Sequence, residues 1–138
     1  MKTSMKIIHK IAAVVVQDDK FLMVRKHGKD VWTSLGGHPE GNESEEEALL
    51  REIEEEMGCD AALIKKLGDF EAPAAHDDAI VKLSTYLVEL SGEIHFDDPE
   101  LAEYKFLAKD YTDDGIKLPA SIEELVLPYC IKEGILDW

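Results

Sequence analysis

The sequence predicts one domain of mixed α/β or α+β class, in which strands outnumber helices. Apolar, β-branched segments recur between turn residues, and only two segments carry helix-capping patterns. A length of 138 residues suits a single domain spanning 1–138, and a hydrophobic share of 45% is normal for a globular protein. The predicted strands lie at about residues 6–16, 20–25, 61–71, 79–90 and 103–108.

The first two strands are predicted to form a hairpin. Residues 6–16 are rich in Ile and Val, and residues 20–25 follow them across the turn residues at 18–19. Residues 26–43 contain five glycines or prolines, so we expect a loop there, with a short strand near Trp32.

The first predicted helix covers residues 44–57 and has signals at both ends. Ser44 and Glu47, three residues apart, form the sequence pattern of a capping box. Gly58 follows the last helical residue, where glycine commonly ends a helix.

A second helix is predicted near the C-terminus. Ser121 and Glu124 repeat the capping-box pattern, which indicates that a helix begins there. Pro128 is expected to kink or end this helix, because proline lacks a backbone N–H donor.

The net charge of −15 and the pI near 4.6 argue against nucleic-acid polymers and anionic membranes as partners. A polyphosphate substrate would also be repelled unless a cation intervened. The longest apolar run, residues 11–16, is too short to span a bilayer, and we expect a cytoplasmic protein rather than a secreted one. Cys59 and Cys130 show no metal-ligand spacing and are expected to be reduced thiols.

The segment from Glu43 to Glu56 carries eight acidic residues and one basic residue. Like charges at helical spacing repel, and burial makes the repulsion stronger. A helical wheel places three glutamates on one face, beside an apolar stripe that we expect to be buried against the sheet. Raised carboxylate pKa values or a bound hard cation such as Mg²⁺ would relieve the repulsion; a solvated acidic face is the alternative. The glutamates are Glu52, Glu55 and Glu56, and the stripe is Leu49, Leu50, Ile53 and Met57.

The chain from Gly37 to Cys59 fits the pattern G-x5-E-x7-R-E-U-x-E-E-x-G-U, where U is a bulky apolar residue. This segment looks like a Nudix box, and the chain resembles Nudix hydrolases. Cys59 departs mildly from the pattern, because the last position is more often aliphatic. The residues that match the other positions are Gly37, Glu43, Arg51, Glu52, Ile53, Glu55, Glu56 and Gly58.

The resemblance implies a mixed β-sheet sandwiched between helices and Mg²⁺- or Mn²⁺-dependent hydrolysis of a nucleoside diphosphate linked to a moiety X. Carried over by position, Glu55 and Glu56 would bind metal, as would the backbone carbonyl of Gly37. Glu52 would be a further ligand or the base that takes a proton from water. Glu52, Glu55 and Arg51 are thus the predicted catalytic residues, with Arg51 pairing with Glu43 to hold the helix against its entry loop.

Five further residues are weaker candidates for substrate binding, and each has a plain structural alternative. Arg25 could clamp a phosphate or be an exposed cation, and Trp32 could stack on a base or pack in the core. His76 could supply a base or ligand from a loop that is more simply a polar turn. Glu100 and Glu103 lie ahead of a short strand, in a region where the resemblance implies acids that bind metal or substrate. Glu103 is favoured, and a solvated edge is the alternative.

The sequence identifies the substrate only as nucleotide-like. A nucleoside triphosphate is the default, and a nucleotide-sugar or ADP-ribose-type pyrophosphatase is the alternative. A non-catalytic nucleotide-binding module and an isoprenyl diphosphate isomerase are further hypotheses, and neither cysteine is placed for the latter. A homodimer is possible by resemblance alone.

Overall fold

A computed structural model describes residues 6–74 and 78–138 and confirms a mixed α+β fold. Seven strands and two α-helices follow one another within these described residues. The strands are β1 (Lys6–Val14), β2 (Val16–Gln17), β3 (Lys20–Lys26), β4 (Leu35–Gly37), β5 (Asp60–Pro73), β6 (Ala79–Ser91) and β7 (Leu101–Leu107). Helix α1 spans Glu45–Met57, and α2 spans Leu127–Lys132 after a π-helical segment at Ser121–Val126. A 3₁₀ turn lies at Tyr111–Asp114.

The strands form two sheets. The larger sheet has the order β4-β1-β6-β5 and is mixed, because β1 and β6 run parallel while its other neighbouring pairs are antiparallel. The smaller sheet has the order β2-β3-β7 and is antiparallel throughout. No helix among residues 6–74 and 78–138 combines the length and apolar character needed to cross a bilayer.

The predicted hairpin forms, but its first strand is shorter than expected. Asp18 and Asp19 have φ angles of 51° and 60°, as a two-residue turn of the primed type requires. The predicted strand at 6–16 breaks at Val15, and of its two parts, β1 and β2, it is β2 that pairs with β3. The break lets β1 join the larger sheet while β2 joins the smaller one.

The two faces of β1 bury against different helices. Ile11 and Ala13 share a core with helix α1, whereas Ala12 and Val14 share a core with the C-terminal helical segment. This alternation follows from the two-residue period of a strand. The larger sheet is therefore covered by a helix on each face.

Helix α1 has the predicted capping box, because Ser44 and Glu47 exchange hydrogen bonds between side chain and backbone. Gly58 ends the helix in the left-handed conformation. The predicted burial of Leu50 is wrong, since Leu50 is 41% exposed. The buried arc runs from Ala48 through Leu49 to Met57, and at about 100° per residue Leu50 falls just outside it.

The second predicted capping box does not form. Ser121 lies inside the helical segment and makes no side-chain capping bond, and the backbone N–H groups of Ile122 and Glu123 donate to Pro119 instead. Pro128 does not end the segment. The chain takes the wider π register just before it, with the Leu127 N–H bonded to the Ile122 carbonyl, and continues as α2.

Candidate functional site: an acidic cavity beside helix α1

One cavity of about 640 Å³ lies between the C-terminal half of α1, strand β4 and the segment 97–101. Carboxylates dominate its lining, and Lys26 is the one Lys or Arg among the described residues that line it. Repulsion between so many carboxylates favours a cation in the cavity. The acidic lining residues are Glu40, Glu52, Glu55, Glu56, Asp97, Asp98 and Glu100.

Glu56 is the most buried of these carboxylates, with 7% of its surface exposed. Burial raises the pKa of Glu56 to about 8, and the charges of Glu52 and Asp98 push it in the same direction. A hydrogen bond of 2.9 Å from the Gly36 backbone N–H to Oε1 offsets only part of this. A carboxyl group so placed keeps its proton near neutral pH unless a cation binds.

Glu52 lies against the backbone of Gly37. A Cβ atom at Gly37 would come within 2.7 Å of the Glu52 carboxylate carbon, so glycine leaves the space that this carboxylate occupies. Burial raises the pKa of Glu52, and the neighbouring Arg51 partly counteracts it. The preceding Gly36 has φ of +128°, and a Cβ there would meet the Ile11 carbonyl oxygen, so the turn into the cavity needs both glycines.

Arg51 connects the helix to its entry loop. Its Nε and Nη2 donate to the two carboxylate oxygens of Glu43 at 2.7 and 3.0 Å, and Nη2 also reaches the His38 carbonyl at 3.2 Å. The hydrogen bond to Arg51 is the main reason that the pKa of Glu43 is lowered. Nη1 donates to Glu52 at 3.0 Å and to Glu55 at 3.3 Å, so Arg51 offsets part of the negative charge of the cavity.

The donor set of the cavity fits Mg²⁺, a hard cation that prefers oxygen ligands. A buried carboxylate with a raised pKa and a glycine that admits a second carboxylate to the backbone both suit such an ion. Among residues 6–74 and 78–138, no three Asp, Glu, His or Cys side chains are already arranged around a common point. The glutamates instead bond to Arg51 and to the Gly36 N–H, so binding an ion would require their side chains to converge.

The weaker candidates are dispersed. Arg25 donates to Glu103 at 2.9 Å and to the backbone carbonyls of Lys26 and Lys29, so Arg25 and Glu103 are already paired with each other. Trp32 is 6% exposed within the core, which favours its packing alternative. Glu100, the less favoured glutamate, lines the acidic cavity. His76 lies outside the described residues.

Sequence reasoning missed four charged residues of the lining: Lys26, Glu40, Asp97 and Asp98. The acidic run at 97–100 precedes a predicted strand, but its relation to α1 depends on tertiary structure. Strand β7 pairs with β3 and brings the run to the cavity, where the His27 N–H donates to the Glu100 carbonyl at 3.1 Å. This long-range pairing leaves no local trace in the sequence.

A second acidic cluster lies at the N-terminal turn of α1 and has a different character. Glu45 accepts hydrogen bonds from Tyr86 at 2.7 Å, from Lys66 at 3.0 Å and from Ser84 at 3.0 Å. His9 Nε2 lies 3.2 Å from Oε2 of Glu45, the carboxylate oxygen that Ser84 also contacts. Burial pushes the pKa of Glu45 upward, but the hydrogen bonds outweigh it and the pKa is lowered. We call Glu45 and these four partners the Glu45 cluster.

Comparison with known proteins places the acidic cavity in a family context. The NUDIX domain matches residues 8–120. The chain is 37% identical over 65 residues to a putative 8-oxo-dGTP diphosphatase of Bacillus subtilis, covering 47% of this chain and 44% of that protein. It is 35% identical over 63 residues to CTP pyrophosphohydrolase of Escherichia coli, covering 43% and 47% respectively. The aligned part thus spans about half the length of these curated relatives.

Solved structures share the fold over most of the chain. A UDP-X diphosphatase superposes with a TM-score of 0.78 and 25% identity, covering 97% of this chain and 66% of that one. The E. coli ORF135 protein superposes with a TM-score of 0.71 and 24% identity, covering 94% of each chain. The match over residues 8–120 includes the whole glutamate-rich helix and its entry loop. The chain belongs to the Nudix family.

Proposed function

We propose that the protein is a Mg²⁺- or Mn²⁺-dependent pyrophosphohydrolase that cleaves a phosphoanhydride bond of a nucleoside diphosphate linked to X. The observation that carries this proposal is Glu56, a buried carboxyl group whose pKa is raised to about 8 within an acidic cavity. Protein interiors rarely retain such a group for stability alone, since burying it costs free energy. A divalent ion bound to substrate phosphates would offset this cost, because it would interact favourably with the ionised Glu56 carboxylate.

Glu52, Glu55, Glu56 and the Gly37 carbonyl are the groups that would hold the ion. When bound, the ion would polarise a phosphoryl oxygen, acidify water and offset the charge of the substrate phosphates. Glu52 would be either a ligand of the ion or the group that takes a proton from water, and the second role is favoured because burial raises its pKa. Arg51 is proposed to act by position, because it fixes the entry loop through Glu43 and the His38 carbonyl.

The default substrate is a nucleoside triphosphate, in agreement with the 8-oxo-dGTP and CTP named for the two curated relatives. A nucleotide sugar or ADP-ribose-like compound is the second candidate. It is supported by the superposition on a UDP-X diphosphatase over 97% of this chain. A second cavity of about 570 Å³, described below, offers room for the part of a substrate beyond its phosphates.

The test is turnover of a nucleotide panel by the full chain, with and without Mg²⁺, with the products identified by mass. The wild type should release phosphate or pyrophosphate only with the divalent ion. Glu56→Gln keeps the shape of the protonated side chain but should bind the ion poorly, so we expect a loss of about 100-fold or more in kcat/KM.

Glu54→Gln is the matched control, because Glu54 is exposed on the same helix and undergoes the same side-chain replacement. It should retain wild-type turnover. Equal activity in Glu56→Gln and wild type would contradict the proposed mechanism. Metal-dependent nucleotide binding without any product would instead identify a non-catalytic module.

A further inference from the structure

The second cavity is lined mainly by apolar side chains from both central strands of the larger sheet and from the loop before the C-terminal helix. Such a surface suits a flat, largely apolar group. Lys10 is the one charged residue among the fifteen described residues that line it. The apolar lining includes Ile8, Val31, Val81, Leu83, Leu118 and Ile122.

Lys10 is an unusual residue for this position. It is partly buried on β1, and within residues 6–74 and 78–138 no carboxylate pairs with it, although acidic residues outnumber basic ones by 30 to 15 in the chain. Burial lowers the pKa of Lys10, and repulsion from Lys26 lowers it further. A partly buried ammonium without a carboxylate lowers stability, so a ligand that accepts its hydrogen bonds would compensate.

The two cavities lie on either side of one short stretch of chain. Thr33 and Ser34 line the second cavity, whereas Gly36, Gly37 and His38 line the acidic one. Two residues of extended chain span roughly 7 Å. Lys10 lines the second cavity and Lys26 lines the acidic one, yet the charge of Lys26 is near enough to lower the pKa of Lys10. The two cavities are therefore close together. A nucleotide with its phosphates in the acidic cavity could therefore extend its base toward Lys10.

We propose that Lys10 is a specificity-determining residue that donates a hydrogen bond to a ring carbonyl oxygen of the substrate's base, so that keto bases are preferred to amino bases. This inference rests on the proposed function, because it assumes that the phosphates occupy the acidic cavity. An ammonium group has only donors, so it pairs with a carbonyl oxygen but is left facing a donor when an amino group takes that position. A site built around one such donor rejects the mismatched substrate strongly.

The experiment compares kcat/KM for two substrate pairs that differ at one ring position, ITP with ATP and UTP with CTP. The keto members are ITP and UTP. In the pair that is turned over faster, the kcat/KM of the wild type should be roughly 10- to 100-fold higher for the keto member, which is the range expected for a hydrogen bond to a charged group. Lys10→Met keeps the aliphatic stem and should abolish the preference. Lys65→Met removes an exposed lysine of β5 and should leave the preference unchanged.

Thermal unfolding of each variant shows whether it is folded. Should Lys10→Met unfold, Lys10→Gln replaces it and is expected to retain an intermediate preference, because its amide both donates and accepts. An unchanged keto-to-amino ratio in a folded Lys10 variant would overturn the proposal. An equal loss for both members of a pair would also overturn it, because that result indicates contact with a phosphate.

Equilibrium binding separates this inference from the proposed function. If no nucleotide is hydrolysed, calorimetry with IMP and AMP tests Lys10 alone. A preference for IMP that disappears in Lys10→Met would support the inference while refuting the hydrolase activity. Failure of the wild type to bind or hydrolyse any of these nucleotides would refute both.

Discussion

The two ends of helix α1 hold their carboxylates in opposite ways. Glu45, in the first turn, is surrounded by the protein's own donors, and its pKa is lowered. Glu56, in the last turn, is buried beside other acids and accepts a hydrogen bond from the Gly36 backbone N–H, and burial raises its pKa to about 8. The same residue type on the same helix is thus stabilised as a carboxylate at one end and left as a strong proton binder at the other.

This difference indicates what each end contributes. The Glu45 cluster joins α1 to β5, β6 and β1 through Lys66, Tyr86, Ser84 and His9, so the charge of Glu45 is already compensated and we expect its role to be positional. The acidic cavity has too few cations of its own to compensate its carboxylates. Acidity alone therefore does not identify a cation site. Acidity that the surrounding protein leaves uncompensated is the more informative feature.

The largest expected effect comes from Gly37→Ala. Its Cβ would lie 2.7 Å from the Glu52 carboxylate, a flexible group that can move aside. We therefore expect the fold to survive and the turnover to fall on the order of 100-fold, because small displacements of reacting groups cost that much. Steady-state kinetics and thermal unfolding measure the two effects separately.

Gly36→Ala provides the contrast to Gly37→Ala. A Cβ at this position would clash with the Ile11 backbone oxygen, and the φ of +128° is strained for any residue other than glycine. We therefore expect Gly36→Ala to lower the stability of the fold. Full activity in a folded Gly37→Ala protein would show that the position of Glu52 is unimportant. The carboxylates at the C-terminal end of α1 would then matter less for turnover than we propose.

The next effect is a pH dependence of the metal-free protein. Between the ordinary pKa of 4.5 and the folded pKa of about 8, folded Glu56 keeps a proton that the unfolded chain releases. Stability should therefore fall as pH rises through this window, by at most about 1.4 kcal/mol per pH unit. The free energy of unfolding of wild type minus that of Glu56→Gln, measured by urea titration from pH 5 to 8, isolates this contribution.

Glu45 should act in the opposite sense and in a different pH window. Because its folded pKa is lowered, its stabilisation is complete above the ordinary value of 4.5 and is lost as pH falls through the folded pKa.

Mg²⁺ should make the unfolding free energy depend less on pH through Glu56, because the ion binds the ionised form of this carboxyl group. If the free energy of unfolding changed with pH equally in wild type and in Glu56→Gln, Glu56 would not be a group that keeps its proton on folding.

The local parts of this architecture could be predicted from sequence, while its long-range parts could not. The cap at Ser44 and the turn at Asp18–Asp19 form as predicted because their determinants lie within a few residues. Ser121 carries the same cap pattern as Ser44 but lies inside the helical segment, since the chain already turns at Pro119. The acidic run at 97–100 reaches the cavity only through the pairing of β7 with β3, which no short pattern encodes.

The smallest effect that we predict concerns Tyr86→Phe. The substitution removes the 2.7 Å hydrogen bond to Glu45 and leaves the ring in place, so we expect a loss of about 1.5 kcal/mol in unfolding free energy. Tyr104→Phe, at a tyrosine that is 37% exposed, should change stability by less than about 0.5 kcal/mol. Turnover should remain within about twofold of wild type in both variants, because we expect the Glu45 cluster to hold the helix rather than to contact substrate. A large fall in turnover in a stable Tyr86→Phe protein would show instead that the N-terminal turn and the acidic cavity act as one unit.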